Sequence, residues 1–327
     1  MIRNHLPLLA AFALAACGGN PLNFAGTTPA PVDPGELGEE APITGVAVPA
    51  VVAQHLKKAT YTPGAPTMKI DLRTLDGTPL EATYQRAAQF DAAGFEAYTV
   101  QETRSQRQFL ALFKRGNAVE AGVVADGGQF VNYFGGGTFA RLQPFTLPTP
   151  VTPLPTQTNL NPQPTLLATY IGGYVGLLNS GVDVPQPGVP FDPQRSFRVT
   201  GEAMINADFN PDNLSLNGGV RNRVINPDPT ATAAEGNIPG PIALQDIFFE
   251  VTQITENGAF SGVVKFDPTK TIGNYAGVFG GTGAAEVAGV TLFKPIDGDA
   301  NTREHGAFVL PKCIVGVVGA VNHPSCP

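Results

Sequence analysis

The chain has 327 residues, of which 38 are Gly and 31 are Pro, with 14% charged residues, no Trp and a formal net charge of −7. This length leaves room for two domains with apolar cores, and the Gly and Pro content sets many turns against few long helices. The acidic balance, with no Lys/Arg run, excludes nucleic acid as a partner.

The chain opens Met1-Ile2-Arg3-Asn4-His5, followed by an apolar run from Leu6 to Ala13 and then Leu14-Ala15-Ala16-Cys17. A positive start, a short apolar core and small residues before a break are the layout of a secretory signal. The run is too short to cross a membrane as a helix, which takes about 20 residues. The residues Leu14-Ala15-Ala16-Cys17 resemble the bacterial lipobox. The resemblance implies removal of residues 1–16 and lipidation of Cys17, whose acyl chains would hold the mature protein on a membrane. An ordinary secretory signal that carries a cysteine is the alternative. Gly18 stands where an aspartate would resemble the inner-membrane retention signal of Gram-negative lipoproteins, so the resemblance favours the outer membrane of a Gram-negative bacterium.

Residues 17–45 are rich in Gly, Pro, Thr and acidic side chains and lack apolar periodicity, as expected of a tether. From Val46 to Lys58 the pattern allows one helix. Turn signals at Asp76-Gly77, Arg115-Gly116-Asn117 and Asp126-Gly127-Gly128 then bracket strand-length runs at 80–90, 94–104, 106–114, 118–125 and 129–134. Residues 46–142 therefore read as a small antiparallel β domain, a handle. Residues 143–165 carry seven prolines, from Pro144 to Pro164, and read as a semi-rigid extended linker.

The remaining residues, 166–327, hold the clearest periodicity. In 197–209 the odd positions are apolar or small (Phe197, Val199, Gly201, Ala203, Ile205, Ala207, Phe209), while most even ones are polar, which gives a strand with one dry face. A hairpin is expected over 244–255 and 259–266, joined at Glu256-Asn257-Gly258. With 168–178, 213–223, 273–280, 286–293 and 305–311 the strand count reaches eight, the number that closes a barrel filled by its own side chains. Glycines inside these strands suit tight coiling. The expected fold is all-β: a small antiparallel N-terminal handle and a C-terminal eight-stranded antiparallel up-and-down β-barrel. A hollow, lipocalin-like barrel is the alternative, and the inward Phe residues speak against it.

The segment from Gly277 to Gly289, with Phe279, Gly280, Ala284, Ala285 and Glu286, resembles the signature of the transferrin-binding-protein-B-like barrel. Tyr170-Ile171-Gly172-Gly173-Tyr174-Val175-Gly176 is similar to that family's first barrel strand, and Gly258-Ala259-Phe260-Ser261-Gly262 fits one of its hairpins. The chain departs from the family at its end, where Gly306-Ala307-Phe308-Val309-Leu310-Pro311-Lys312-Cys313 replaces the usual closing strand. The resemblance implies a single-lobe, hemophilin-like surface lipoprotein that captures a ligand or a host or environmental protein, often for haem or iron, and is often moved to the surface by an outer-membrane translocator. Haem thus enters by resemblance alone, with His55, Tyr61, Tyr84, Tyr98 and Tyr133 of the handle as candidate axial ligands. The simpler reading of the tyrosines is that they cover sheet faces with their hydroxyls in water. His55, beside Lys57 and Lys58, reads as a solvated helix face.

No enzyme motif is present: there is no Gly-Xaa-Ser-Xaa-Gly elbow and no His-Glu-Xaa-Xaa-His pair. The run Gly280-Gly281-Thr282-Gly283 lacks the Lys-Ser/Thr of a phosphate loop and reads as a hairpin turn. Arg104, Arg107, Lys114 and Arg115 would either meet an acidic partner or guard an edge strand. Cys313 and Cys326, in an exported chain, point to a disulfide, with two free thiols or an intermolecular bridge as alternatives. Nearby His305 and His323 lack zinc-finger spacing. The sequence therefore reads as a binding lipoprotein, with a structural or adhesive role, the barrel serving as scaffold or export signal, as the competing class. It assigns no ligand-binding residue.

Overall fold

A computed structural model describes residues 46–73, 79–101, 108–126, 134–150, 165–179, 197–232, 238–295, 302–314 and 323–326. The signal, Cys17 and the tether fall outside these residues, as do Tyr133, Arg104, Arg107 and much of the proline-rich segment. Among the described residues no helix is long and apolar enough to cross a membrane.

The first sheet is a seven-stranded antiparallel meander. Its strands are β1 (Leu56–Thr60), β2 (Thr67–Arg73), β3 (Pro79–Arg86), β4 (Glu96–Val100), β5 (Phe109–Arg115), β6 (Val119–Asp126) and β7 (Gly135–Arg141). The sheet curls until its ends nearly meet, with the His55 amide donating to the Gly135 carbonyl at 3.1 Å. Leu56, Met68, Ile70, Leu72, Tyr84, Tyr98 and Phe113 fill the inside of the curl.

The helix expected over 46–58 shrinks to one turn, α1 (Ala50–Ala53), because the chain turns at Gln54, where φ is +48°. Leu56 then enters the sheet opposite Leu72. Burying Leu56 against β2 outweighs the weak helix preference of a four-residue segment rich in valine. The strand expected at 129–134 lies almost wholly outside the described residues, and the last described handle strand, at 135–141, begins with three glycines. Glycine is needed there because the strand is wedged between layers: a methyl on Gly136 would collide with the Ala53 carbonyl, and one on Gly137 would approach Val290 of the barrel.

The second sheet closes on itself. Its strands are β8 (Leu167–Asn179), β9 (Phe197–Asp208), β10 (Ser215–Asn226), β11 (Ile242–Ala243), β12 (Ile247–Gln253), β13 (Ala259–Asp267), β14 (Lys270–Gly280), β15 (Glu286–Phe293) and β16 (Arg303–Pro311). Each of the eight long strands pairs antiparallel with its neighbours in sequence, and β16 pairs with β8 to complete the up-and-down ring. The short β11 adds to the end of β10. All eight expected barrel strands are present within a few residues of their expected bounds. The alternation in β9 holds, with Phe197, Val199, Ala203, Ile205, Ala207 and Phe209 all buried.

The two sheets share an apolar layer. Leu110, Leu112, Val119, Ala121, Val123, Ala125 and Phe139 of the handle pack on Val175, Leu177, Ala276, Val278, Ala288, Val290, Ala307 and Val309, which point outward from β8, β14, β15 and β16. Burying a valine or leucine side chain stabilises by about 1.5–3 kcal/mol, so this face holds the handle firmly. The proline-rich segment also begins in contact with the barrel: Phe145 packs against the barrel core, and Ala284 donates to the Thr146 carbonyl at 2.9 Å.

Candidate recognition surface

The barrel interior is full. Tyr170, Phe209, Phe260 and Phe279 form one aromatic group, with Phe279 centred 5.3 Å from Tyr170, 5.1 Å from Phe209 and 5.4 Å from Phe260. Further along, Phe249 stacks on Tyr275 at 4.6 Å. Beyond these rings lies a buried ion pair. Arg223 donates to Glu304 at 2.5 Å, and Glu304 also accepts from the Tyr174 hydroxyl at 2.7 Å. Arg223 reaches inward because β10 carries a bulge between Arg221 and Val224, with Asn222 at φ +54°. A buried charge pair is costly unless its hydrogen bonds are met; those of the two terminal Arg223 nitrogens are, while its Nε has no partner among the described residues. The guanidinium also donates to the Gln245 carbonyl and lies 5.0 Å from the Phe293 ring centre.

The outer surface has two unlike ends. At one end the barrel connections are short, 209–214, 254–258 and 281–285, and by the same alternation the handle's connections 61–66, 87–95 and the tight turn 116–118 belong to this end of its sheet. Here the residues of the barrel signature are found. Gly277 and Gly289 face each other across β14 and β15. A methyl on the first would strike Phe260, and one on the second Phe308. Phe279 lies in the core, and a methyl on Gly280 would meet the Ala118 carbonyl. Ala284 turns at φ +52° and offers its carbonyl to the Tyr170 hydroxyl at 2.6 Å, while Ala285 is exposed. Glu286 accepts from the Ala118 amide at 2.7 Å and the Asn117 amide at 3.1 Å. These residues hold structure together.

The other end carries the long connections of the barrel. The strand ends flanking 74–78, 101–108 and 127–134 of the handle and 180–196, 227–246 and 294–302 of the barrel all lie there, as antiparallel alternation requires. The two sets are drawn together by Asn179, at the end of β8, whose amide donates to the Asp126 carbonyl at the end of β6. Beneath this end lie two histidines. His55 is not a solvated helix residue: its Nδ1 is 3.2 Å from the Gly135 carbonyl oxygen and its ring meets Phe134 edge-on at 5.1 Å. Burial lowers its pKa, the Gly135 hydrogen bond opposes that shift, and Arg73 and Lys57 add to it. His305, fully buried on the handle-facing side of β16, is pushed down to about 3 by burial and by the nearby charges of His55 and Arg303.

The handle tyrosines also differ from expectation. Tyr61, Tyr84 and Tyr98 are buried in the curl of the handle, because their faces point inward where the sheet closes. Tyr98 donates to the Ala65 carbonyl at 3.1 Å and to Glu96 at 3.0 Å, and its pKa is raised to about 12 by burial and by Glu96. The Tyr98 hydroxyl thus serves the handle's own packing. Lys114 and Arg115 do not form a common patch. Lys114 donates to the Val309 carbonyl of the barrel at 3.2 Å, with burial lowering its pKa, whereas Arg115 pairs with Glu120 at 2.6 Å. Among the described residues no group of three or more His, Cys, Asp or Glu could hold a metal ion.

Cys313 and Cys326 are joined, with Cα atoms 5.7 Å apart. The bridge ties the tail to the barrel wall. Cys313 donates its amide to Thr169 at 2.7 Å, and Ser325 donates to Glu202 of β9 at 3.0 Å. Burial opposes ionisation of Glu202, but hydrogen bonds from Arg221 and Ser325 win and hold the carboxyl below its usual range.

No family model matches the sequence, and no curated protein matches it. Solved structures do. Transferrin binding protein B of Haemophilus parasuis Hp5, as a double mutant, is similar with a TM-score of 0.35 and 11% identity over 79% of this chain and 54% of that one. The apo haemoglobin receptor HpuA of Kingella denitrificans is similar with a TM-score of 0.36 and 12% identity, over 83% of this chain and 89% of that one. Transferrin binding protein B of serogroup B Neisseria meningitidis gives 0.32 and 12%, over 79% and 52%. The chain therefore spans about half the length of the transferrin binding proteins it matches.

Proposed function

We propose that the chain is a lipid-anchored outer-membrane lipoprotein that displays the handle and barrel at the cell surface and captures a ligand or host protein for iron or haem acquisition. The observation that carries this reading is the asymmetry of the two ends. The barrel directs the strand ends that flank its three long connections, 180–196, 227–246 and 294–302, to the end opposite its short turns, beside the handle strand ends that flank 101–108 and 127–134. Binding residues concentrate on long loops held by a rigid scaffold. The lipobox-like Cys17 supplies the anchor in this reading, and the Cys313–Cys326 bridge suits an oxidising compartment. The resemblance of 277–289 to the transferrin-binding-protein-B-like signature sets the class of ligand to try first.

Protease treatment of intact cells, with mass spectrometry of the released peptides, tests the placement. Release of peptides from 46–327 supports surface display, and protection until the outer membrane is opened removes it. Haem titration of the purified chain then separates ligand classes. A Soret band that saturates at one equivalent supports haem capture, and a flat spectrum together with retention on immobilised haemoglobin or transferrin supports a protein ligand. A flat spectrum with no retention on either overturns the iron-acquisition reading.

A further inference from the structure

The turn between β14 and β15 is a meeting point. Gly281 donates to the Gln143 carbonyl at 3.3 Å, Lys312 donates to the Ala285 carbonyl at 3.0 Å, and the Tyr170 hydroxyl reaches Ala284 from inside the barrel. Into this frame comes the tip of the β5–β6 hairpin of the handle. Glu286, only 8% exposed, receives the Ala118 amide on Oε2 and both the Asn117 amide and the Asn117 side-chain amide, the latter at 3.4 Å, on Oε1.

From this geometry we propose that Glu286 is a docking latch: the end of the barrel is a receptor site whose ligand is the handle's own hairpin tip, residues 115–118. A carboxylate held out of water is costly unless its oxygens are hydrogen-bonded, and two backbone amides ending on one carboxylate meet that need. The site thus favours the docked hairpin over the open barrel. Shape adds a second condition. A methyl on Gly116 would overlap the Glu286 carboxylate, so any larger residue there would push that carboxylate out of its place. Lys114, on the same hairpin, places its ammonium on the Val309 carbonyl at 3.2 Å and brings positive charge toward the carboxylate. The other polar stitches across the seam likewise end on main-chain oxygens, Arg141 on Phe279 at 2.7 Å and Arg198 on Phe90 at 3.2 Å. Bonds to main chain fix position in a way that a pair of mobile side chains does not.

Hydrogen exchange on the full-length chain tests the latch, with Glu286→Ala removing the acceptor from the barrel side and Gly116→Ala displacing it from the handle side. In both variants the Asn117 and Ala118 amides exchange about 10- to 100-fold faster, the loss expected for hydrogen bonds to a charged group. The β14–β15 amides stay slow, and the double variant goes no further than either single one. Glu286→Gln, which keeps one acceptor oxygen, falls between wild type and alanine, and it and Gly116→Ala carry the test if the alanine variant does not fold. Unchanged exchange at 117 and 118 overturns the proposal. So does parallel acceleration of the β14–β15 amides, which would make Glu286 a support of the barrel alone.

Discussion

The barrel and the handle are both antiparallel meanders, yet they stand on different physical footing. The eight long barrel strands close their ring of hydrogen bonds and enclose their own aromatic core. The handle fills only the inside of its curl with its own side chains and commits its other apolar face, on β5, β6 and β7, to the outside of the barrel. A self-contained core makes the barrel the independent partner and the handle the dependent one. Strands β5, β6 and β7 of the handle are therefore held in place by a surface that belongs to the barrel.

The largest effect expected from this difference is on the barrel. Replacing Glu304 with Ala leaves the Arg223 guanidinium buried without its counter-charge, a change that costs about 3–5 kcal/mol. Because the handle rests on the barrel, chemical denaturation should show both sheets losing stability together. A midpoint shift confined to barrel probes would break the dependence argued above. Next comes Leu112→Ala in the shared layer, at about 2–5 kcal/mol. Its effect should be one-sided, with the β5 and β6 amides losing protection from exchange while β14 and β15 keep theirs. Equal loss in both sheets would mean that the barrel needs the handle as much as the reverse. Replacing Cys313 and Cys326 with Ser should cost about 3 kcal/mol in the chain-entropy model, with faster proteolysis of the tail that docks on Glu202. A tail that remains resistant would show that the contacts of Ser325 and Cys313 suffice without the bridge.

The same contrast explains what the sequence could and could not disclose. Strands such as β9 and β13 alternate because one face looks into a core made by their immediate neighbours, so period-two patterning names them directly. In β5 and β6 both faces are buried, one in the curl and one against the barrel, and the run Phe109-Leu110-Ala111-Leu112-Phe113 shows no alternation to set its register. The bounds of β1 and β7 were hidden for a related reason. The glycines of β7 look like a turn until the layers pressing on both sides are known. Arg223 is inward only through a bulge that shifts its parity, and no local signal marks it. Glu304, by contrast, shares the parity of Phe308 and Leu310 and was readable as an inward charge. Cys313 and Cys326 were legible as a pair, whereas the docking role of Glu286 depends on a hairpin far away in sequence.

The smallest effect is also the one that reports most selectively on the seam. His305 faces the handle, its neighbouring charged groups are His55 and Arg303, and its pKa in the folded chain is about 3 against an ordinary value of 6.5. In the unfolded chain the imidazole takes up a proton as the pH falls through about 6.5, whereas the folded chain keeps it neutral until far lower pH. Stability is thus fully present above the unfolded value and declines as the pH is lowered through the window between the two, by about 1.4 kcal/mol per pH unit. His55, whose pKa is also lowered, adds to the slope with the same sign and, being less buried, to a smaller extent. Melting measured from pH 7 to pH 5 should show this decline in the wild type and a shallower one in His305→Gln. Since the ring lies between the sheets, acid should loosen the handle first, visible as faster exchange in β6 and β7 before β9 or β10. An equal decline in both proteins would assign the acid sensitivity to groups away from the seam, and a flat wild-type profile would mean that His305 takes up its proton without the sheets separating.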